Sequence, residues 1–155
     1  MEIRPYSGEY AEAVADLFTV AVHAIELDFY DEKQNTVWAP TPPDYAHWAQ
    51  RLERKQPWLA MVDGHLAGFI ELDADGHIDC TYVHPKFQRR GVATALYRQL
   101  ETEARSRRIT RLYVEASLVA EPFFDRQGFT RVEKNSVKRN DIVLRNTTME
   151  KHIGN

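Results

Sequence analysis

Residues 84–96 read His-Pro-Lys-Phe-Gln-Arg-Arg-Gly-Val-Ala-Thr-Ala-Leu. A strand-like stretch ends just before them, near Val83, and an apolar helical pattern begins directly after Gly91. The first N–H groups of a helix have no carbonyl partners and carry the positive end of its dipole, so such a start can bind an anion. Gly91 lets the backbone approach a bulky group with no Cβ in the way. Hydrogen bonds to a charged group contribute about 1.5–3 kcal/mol each, so several converging amides outweigh one exposed cation. On this reading the open amides of the helix start cradle a phosphate, with Arg89 and Arg90 as helpers. The competing reading is a solvated helix start in which Gly91 only eases a turn.

A second set of reactive side chains lies just upstream. His77, Cys80 and His84 spell H-x-x-C-x-x-x-H. On a strand, positions 77 and 80 point to opposite faces, and the spacing suits no common helical site, so no metal is expected.

The elements that must position these residues are legible around them. Residues 2–6 read as a short strand, and Val14, Leu17, Phe18, Ala21 and Ile25 recur at helical spacing between Glu9 and Phe29. Residues 35–43 carry three prolines and read as a loop. A second helix is expected to start at Pro42 or Pro43, turning Tyr45, Trp48 and Leu52 inward. Asp63-Gly64 and Asp75-Gly76 are hairpin signals, since a type I′ turn needs positive φ at both central residues. They divide a meander of strands near 57–62, 65–74 and 77–83. After Gly91, the residues Val92, Leu96, Leu100 and Ala104 mark a helix to about Arg107. The strand 111–116 follows, parallel to 77–83 because a whole helix separates them. A short helix over 118–127 is capped by Gly128, with Pro122 near its first turn, and strands near 129–138 and 141–151 close a hairpin. The order is β-α-α-β-β-β-α-β-α-β-β, an α/β (α+β) mixed sheet with helices on both faces.

Composition bounds the function. The chain has 155 residues, which suits a single domain over residues 1–155, with 43% hydrophobic and 28% charged residues, close to globular averages. A net charge of −3 argues against a general nucleic-acid binder. Cys80 is alone and forms no internal disulfide, the first residues lack an apolar signal region, and no apolar run approaches roughly 18 residues. A soluble, cytoplasmic protein is expected, and the Asn146-Thr147-Thr148 sequon is taken as chance. A homodimer is compatible with this composition.

Gln88-Arg89-Arg90-Gly91-Val92-Ala93 resembles the Q/R-x-x-G-x-G/A acetyl-CoA loop of the GNAT superfamily of N-acetyltransferases. Tyr82-Val83-His84-Pro85 is similar to that family's fourth-strand ending. Ala116-Ser117, followed by residues 120–129 ending in Gly128-Phe129, looks like its second cofactor motif. The resemblance runs from Ile3 to about Ile153 and is strongest over 77–129. It implies acetyl-CoA as donor and direct transfer of acetyl to a primary amine in a ternary complex. It also implies pyrophosphate on the amides of Gln88, Arg89, Arg90, Gly91, Val92, Ala93 and Thr94. The pantetheine arm would pair with Tyr82 and Val83, and Ser117, Phe123 and Phe124 would border its other side. Arg126 could reach the cofactor or stay solvated.

In that family a base often sits on the fourth strand, eleven and nine residues before the cofactor motif; here those positions are His77 and Asp79. They share one face of the strand, and both can accept a proton. Glu71 is a third candidate, set opposite Cys80 and on the other face by simple register. Many relatives carry a tyrosine four residues before the Gly-Phe pair, whereas this chain has Phe124, which has no proton to give. Tyr82, Ser117 or water could supply one, or the thiolate leaves unaided. An acyl-CoA-binding module without turnover is therefore the alternative function.

For the acceptor, Glu9, Glu12, Asp16, Glu26, Asp28, Asp31 and Glu32 form an acidic run with no lysine or arginine, either a rim for a cationic amine or a solvated face. Tyr30, Trp38 and Trp48 could line an aromatic pocket or simply pack. The basic residues Lys86, Arg89, Arg90, Arg98, Arg105, Arg107 and Arg108 lack the interleaved aromatics of a nucleic-acid surface.

Overall fold

The computed structural model describes residues 1–24, 39–139 and 141–154. In chain order the elements are β1 (Glu2–Pro5), a 3-10 turn (Gly8–Tyr10), α1 (Ala11–His23), α2 (Tyr45–Lys55), β2 (Trp58–Val62), β3 (His65–Leu72) and β4 (His77–Val83). A second 3-10 turn (Pro85–Phe87) leads to α3 (Val92–Ser106), β5 (Arg111–Ser117), α4 (Glu121–Arg126), β6 (Thr130–Arg139) and β7 (Ile142–His152). Seven strands form one sheet in the order β1-β2-β3-β4-β5-β7-β6, parallel between β4 and β5 and antiparallel elsewhere. The mixed sheet and element order are those expected from the pattern.

Each face buries its own apolar cluster. On one, Ile70, Ile78, Leu112 and Met149 of the sheet meet Val92, Leu96 and Leu100 of α3 and Phe124 of α4. On the other, Leu59 and Phe69 meet Val14 and Leu17 of α1 and Leu52 of α2. Full burial of a Leu, Ile or Phe side chain stabilises by about 1.5–3 kcal/mol, so both helical layers are held chiefly by these faces. Gly68 sets the approach of α3: a Cβ there would lie 2.9 Å from the Tyr82 carbonyl and 3.1 Å from Leu96 and Val92.

Three expectations need correction. The helix α2 starts at Tyr45, because the Asp44 carboxylate accepts the His47 N–H at 3.0 Å and caps it there. Tyr45 does not turn inward. As the first helical residue it is 38% exposed, and its hydroxyl donates to Asp16 Oδ1 of α1 at 2.5 Å. At Asp63-Gly64 both φ values are positive, as a type I′ turn requires, but at Asp75-Gly76 only Gly76 is. There β3 ends at Leu72, and Gly76 N–H bonds back to the Asp73 carbonyl, a longer turn than expected. The expected continuation of α1 through Ile25 to Phe29, together with Glu26, Asp28, Tyr30, Asp31, Glu32 and Trp38, lies outside the described residues.

The sheet is irregular at one place. Ile70 pairs Thr81 and Leu72 pairs Ile78, so Glu71 faces both Asp79 and Cys80 across a bulge. A bulged strand bends. The parallel register of β4 with β5 comprises only His77↔Tyr113 and Ile78↔Val114, ending where the bulge begins.

Candidate active site

The parting of β4 and β5 opens two crevices. The smaller, about 320 Å³, runs between the β4 end, the α3 start and α4. It is lined by Tyr82, Val83, Gln88, Arg89, Gly91, Val92, Ala93, Thr94, Ser117, Phe123 and Phe124, with Arg126 beside them. Of the residues named from the sequence for the donor, only Arg90 is not in this lining; its guanidinium carbon lies 5.6 Å from the Phe87 ring centroid. The loop reaches this shape with left-handed backbone at Arg89 (φ 64°) and Gly91 (φ 78°). The first bond into α3 runs from Ala95 N–H to the Gly91 carbonyl at 3.0 Å. Helix geometry thus leaves the N–H groups of Val92, Ala93 and Thr94 without helical partners. A Cβ on Gly91, which lines the crevice, would meet nothing within 4 Å, so a side chain there would not press on the core.

Phe124 is buried, 5.2 Å from Phe129 and 5.1 Å from Phe123 between ring centroids. Ser117 accepts the Ala120 N–H at 3.2 Å, which leaves its own hydroxyl proton available to donate. Ala120 of the second motif lines the crevice too, whereas Ala21, Thr81, Phe87 and Val119 also line it and were missed, because packing and turns rather than a motif place them.

The larger crevice, about 990 Å³, lies on the other side of the gap. Its walls include Phe18 of α1, Trp48 and Arg51 of α2, His77, Asp79 and Cys80 of β4, Glu115 of β5, and Asn135 and Arg145 of the closing hairpin. Tyr82 and Ser117 line both crevices, so the two join at these residues. Among the described members of the acidic run, Glu9, Glu12 and Asp16 are absent from this lining.

A charged network covers the floor. Arg51 donates to both oxygens of Glu71 at 2.6 and 3.3 Å and lies 2.9 Å from Asp79 Oδ2. Lys55 Nζ bridges Asp73 Oδ1 at 2.7 Å and Asp79 Oδ2 at 2.8 Å. His77 sits between carboxylates, Nδ1 at 3.1 Å from Asp73 Oδ2 and Nε2 at 3.0 Å from Glu115 Oε2, with its ring stacked on Tyr113. Glu71 lies by Cys80, as simple register expects, but it is not on the far face from Asp79. The bulge overrides simple register, and the three groups' ligand atoms lie within 4.8 Å of one another.

Burial pushes the Asp79 carboxyl up, but the Lys55 hydrogen bond and the Arg51 and Lys55 charges outweigh it, leaving the pKa below the usual range. Complete burial raises Glu71, offset only in part by Arg51. Burial also raises the Cys80 thiol well above its ordinary value, so it stays protonated. His84 takes no part in this network; its Nδ1 accepts the Lys86 N–H at 3.1 Å.

The family model of the acetyltransferase (GNAT) domain matches residues 26–153. The chain belongs to the GNAT acetyltransferase family. It is 32% identical over 138 residues to the uncharacterized N-acetyltransferase YafP of Escherichia coli (strain K12), covering 89% of this chain and 87% of that one. The structure of a GCN5-related N-acetyltransferase from Rhodopseudomonas palustris is similar with a TM-score of 0.93 at 36% identity, covering 98% of this chain and 95% of that one. The PaiA N-acetyltransferase from Thermoplasma acidophilum, in complex with coenzyme A, shares the fold with a TM-score of 0.79 at 18% identity, covering 98% of each chain.

Within this GNAT chain, Glu115 and Arg51 are among the charged site residues that sequence reasoning passed over, with Lys55, Asp73 and Arg145. Both lie on regular elements outside the loop motif. Helical and strand periodicity gave no sign of them, because both side chains are brought to the floor by packing between elements. The basic stretch after the loop is partly neutralised by acids of α3: Arg107 Nε bonds Glu103 at 3.0 Å, and Arg105 Nε bonds Glu101 at 3.4 Å. No helix among the described residues is long and apolar enough to cross a membrane.

Proposed function

We propose that the chain is an acetyl-CoA-dependent N-acetyltransferase that moves acetyl directly onto a primary amine of a small molecule or protein, with residues 1–155 acting as one catalytic domain. One observation carries this reading: two crevices of different chemistry meet at Tyr82 and Ser117, where bulged β4 leaves β5. The smaller has the open amides of a helix start, suited to a pyrophosphate. The larger has carboxylates and an imidazole, suited to an amine. The coenzyme A held by the PaiA neighbour supports the same donor here.

In this reading the amides from Gln88 to Thr94 hold the pyrophosphate, and the β4 main chain at Tyr82 and Val83 pairs with the pantetheine arm. Ser117, Phe123 and Phe124 border the arm, and a β4 N–H polarises the thioester carbonyl as charge develops on its oxygen. His77 and Asp79 face the acceptor. Asp79, clamped by two cations and held at a low pKa, fits an electrostatic role; His77 fits the proton acceptor.

The test is thiol release from acetyl-CoA against a panel of primary amines, with the N-acetyl product followed by mass spectrometry. The expected outcome is one free thiol per acetylated amine. Acetyl-CoA binding without thiol release for any amine would instead assign an acyl-CoA-binding module. Phe124, standing where many relatives have a tyrosine, favours that second reading.

A further inference from the structure

Building on the acetyl-transfer reading, we infer that Glu115 is the residue that meets the acceptor's ammonium group and passes one of its protons to His77. Glu115 and Ser117 are two apart on β5 and so share a face. Ser117 stands where the crevices join, and Glu115 lies in the acceptor crevice beside it. The Glu115 side chain is 42% exposed, and only Oε2 is engaged, by His77 Nε2 at 3.0 Å; among the described residues Oε1 has no recorded partner. Oε1 is therefore open to an ammonium group.

Behind it the groups form a row. His77 Nδ1 lies 3.1 Å from Asp73 Oδ2, and Lys55 holds Asp73 through its other oxygen at 2.7 Å. A neutral imidazole donates from one nitrogen only. In the tautomer that puts Nδ1–H on Asp73, Nε2 turns a lone pair toward the Glu115 oxygen, and there is room between them for one transferred proton. Asp79 differs in its engaged oxygen, which two cations hold. Its Oδ2 already accepts from Lys55 at 2.8 Å and lies 2.9 Å from Arg51, and protonation would weaken both contacts.

The transfer balances without an added acid. The ammonium group gives one proton to Glu115, from which it passes to His77 Nε2. The freed nitrogen lone pair forms a C–N bond at the thioester carbon. Collapse of the tetrahedral intermediate breaks the C–S bond, and its electron pair leaves on sulfur. A second proton moves from the nitrogen to that sulfur, through the Ser117 hydroxyl or a water, giving amide and thiol. The proton on the Glu115–His77 pair returns to solvent. Phe124 then needs no replacement, because the amine itself supplies the proton for the thiol.

Glu115→Gln keeps the size and one hydrogen-bonding oxygen but cannot carry the proton. Its kcat should fall by about 10²–10⁴ and the acceptor KM should rise, while acetyl-CoA affinity and the melting curve stay native. Glu115→Asp, which retains the carboxylate, should recover part of kcat. Adding His77→Gln to Glu115→Gln should cost little more than the worse single change, as for groups acting as one unit. Native kcat in Glu115→Gln, or losses that multiply in the double variant, would overturn the assignment while leaving the acetyltransferase reading intact. A native protein that releases no thiol with any amine would remove both. Should Glu115→Gln unfold, the Glu115→Asp kcat decides: a value unchanged from native with an unchanged acceptor KM overturns the relay, and an intermediate kcat supports it.

Discussion

Gly91 and Asp79 carry the sharpest expectations at the level of single residues. Gly91 combines a left-handed φ of 78° with open space on its Cβ side. Valine there is strained by about 1–2 kcal/mol and would add bulk at the lining of the smaller crevice. Gly91→Val should therefore lose acetyl-CoA binding in calorimetry by at least about tenfold, the equivalent of 1.4 kcal/mol, while far-UV circular dichroism stays native. Unchanged affinity would remove the loop from the donor site. Asp79 gives a pH-dependent expectation. Its folded pKa lies below the unfolded value near 3.9. Its contribution is thus present above that value and lost as pH falls through the folded one. Asp79→Asn should cost on the order of 1 kcal/mol at neutral pH for a partly exposed pair, and the gap to native should close in acid, as urea melts across pH would read. Glu71, raised by burial, has the opposite sign, so each variant must be compared with native at the same pH.

Elements matter here through the contacts that hold them at fixed distances. α3 can bring its amides to the donor crevice only because Gly68 lets it lie close on β3. Gly68→Val should destabilise by about 1–3 kcal/mol, as overpacking does, and should weaken acetyl-CoA binding although residue 68 does not line the crevice. Native affinity in a destabilised Gly68→Val would show that the α3 start holds its place independently of this packing. α2 is tied to the sheet by Arg51, which pairs fully buried Glu71. Arg51→Met strands that carboxylate and should cost about 3–5 kcal/mol. Arg51→Met with Glu71→Met should recover much of it, which chemical denaturation would measure.

For the molecule as a whole, two crevices meeting at one gap predict a kinetic order. On the proposed reading donor and acceptor occupy adjoining crevices, and the one cysteine at the gap is 8% exposed with its thiol pushed up by burial, which disfavours the thiolate a covalent route needs. Initial-rate plots should intersect, and protein incubated with acetyl-CoA alone should gain no acetyl mass on Cys80. Parallel lines together with an acetylated cysteine would replace direct transfer by a covalent intermediate.

The amino-acid order by itself determined the element sequence, the parallel β4–β5 pairing, the helix start at Gly91 and the residues around it that line the smaller crevice. These follow from patterns local to the chain: period-two and period-3.6 apolar spacing, turn dipeptides, and one glycine ahead of a helix. Tertiary structure alone decided the bulge at Asp79 and Cys80, because a bulge depends on how two strands share hydrogen bonds, not on either strand's pattern. From that bulge follow the parting of β4 and β5, the turning of Glu71 toward Arg51, and the pairing of His77 with Glu115, thirty-eight residues apart in the chain. The acceptor chemistry was hidden for the same reason. Its charges lie on α2, β4 and β5, and only packing brings those elements to one floor.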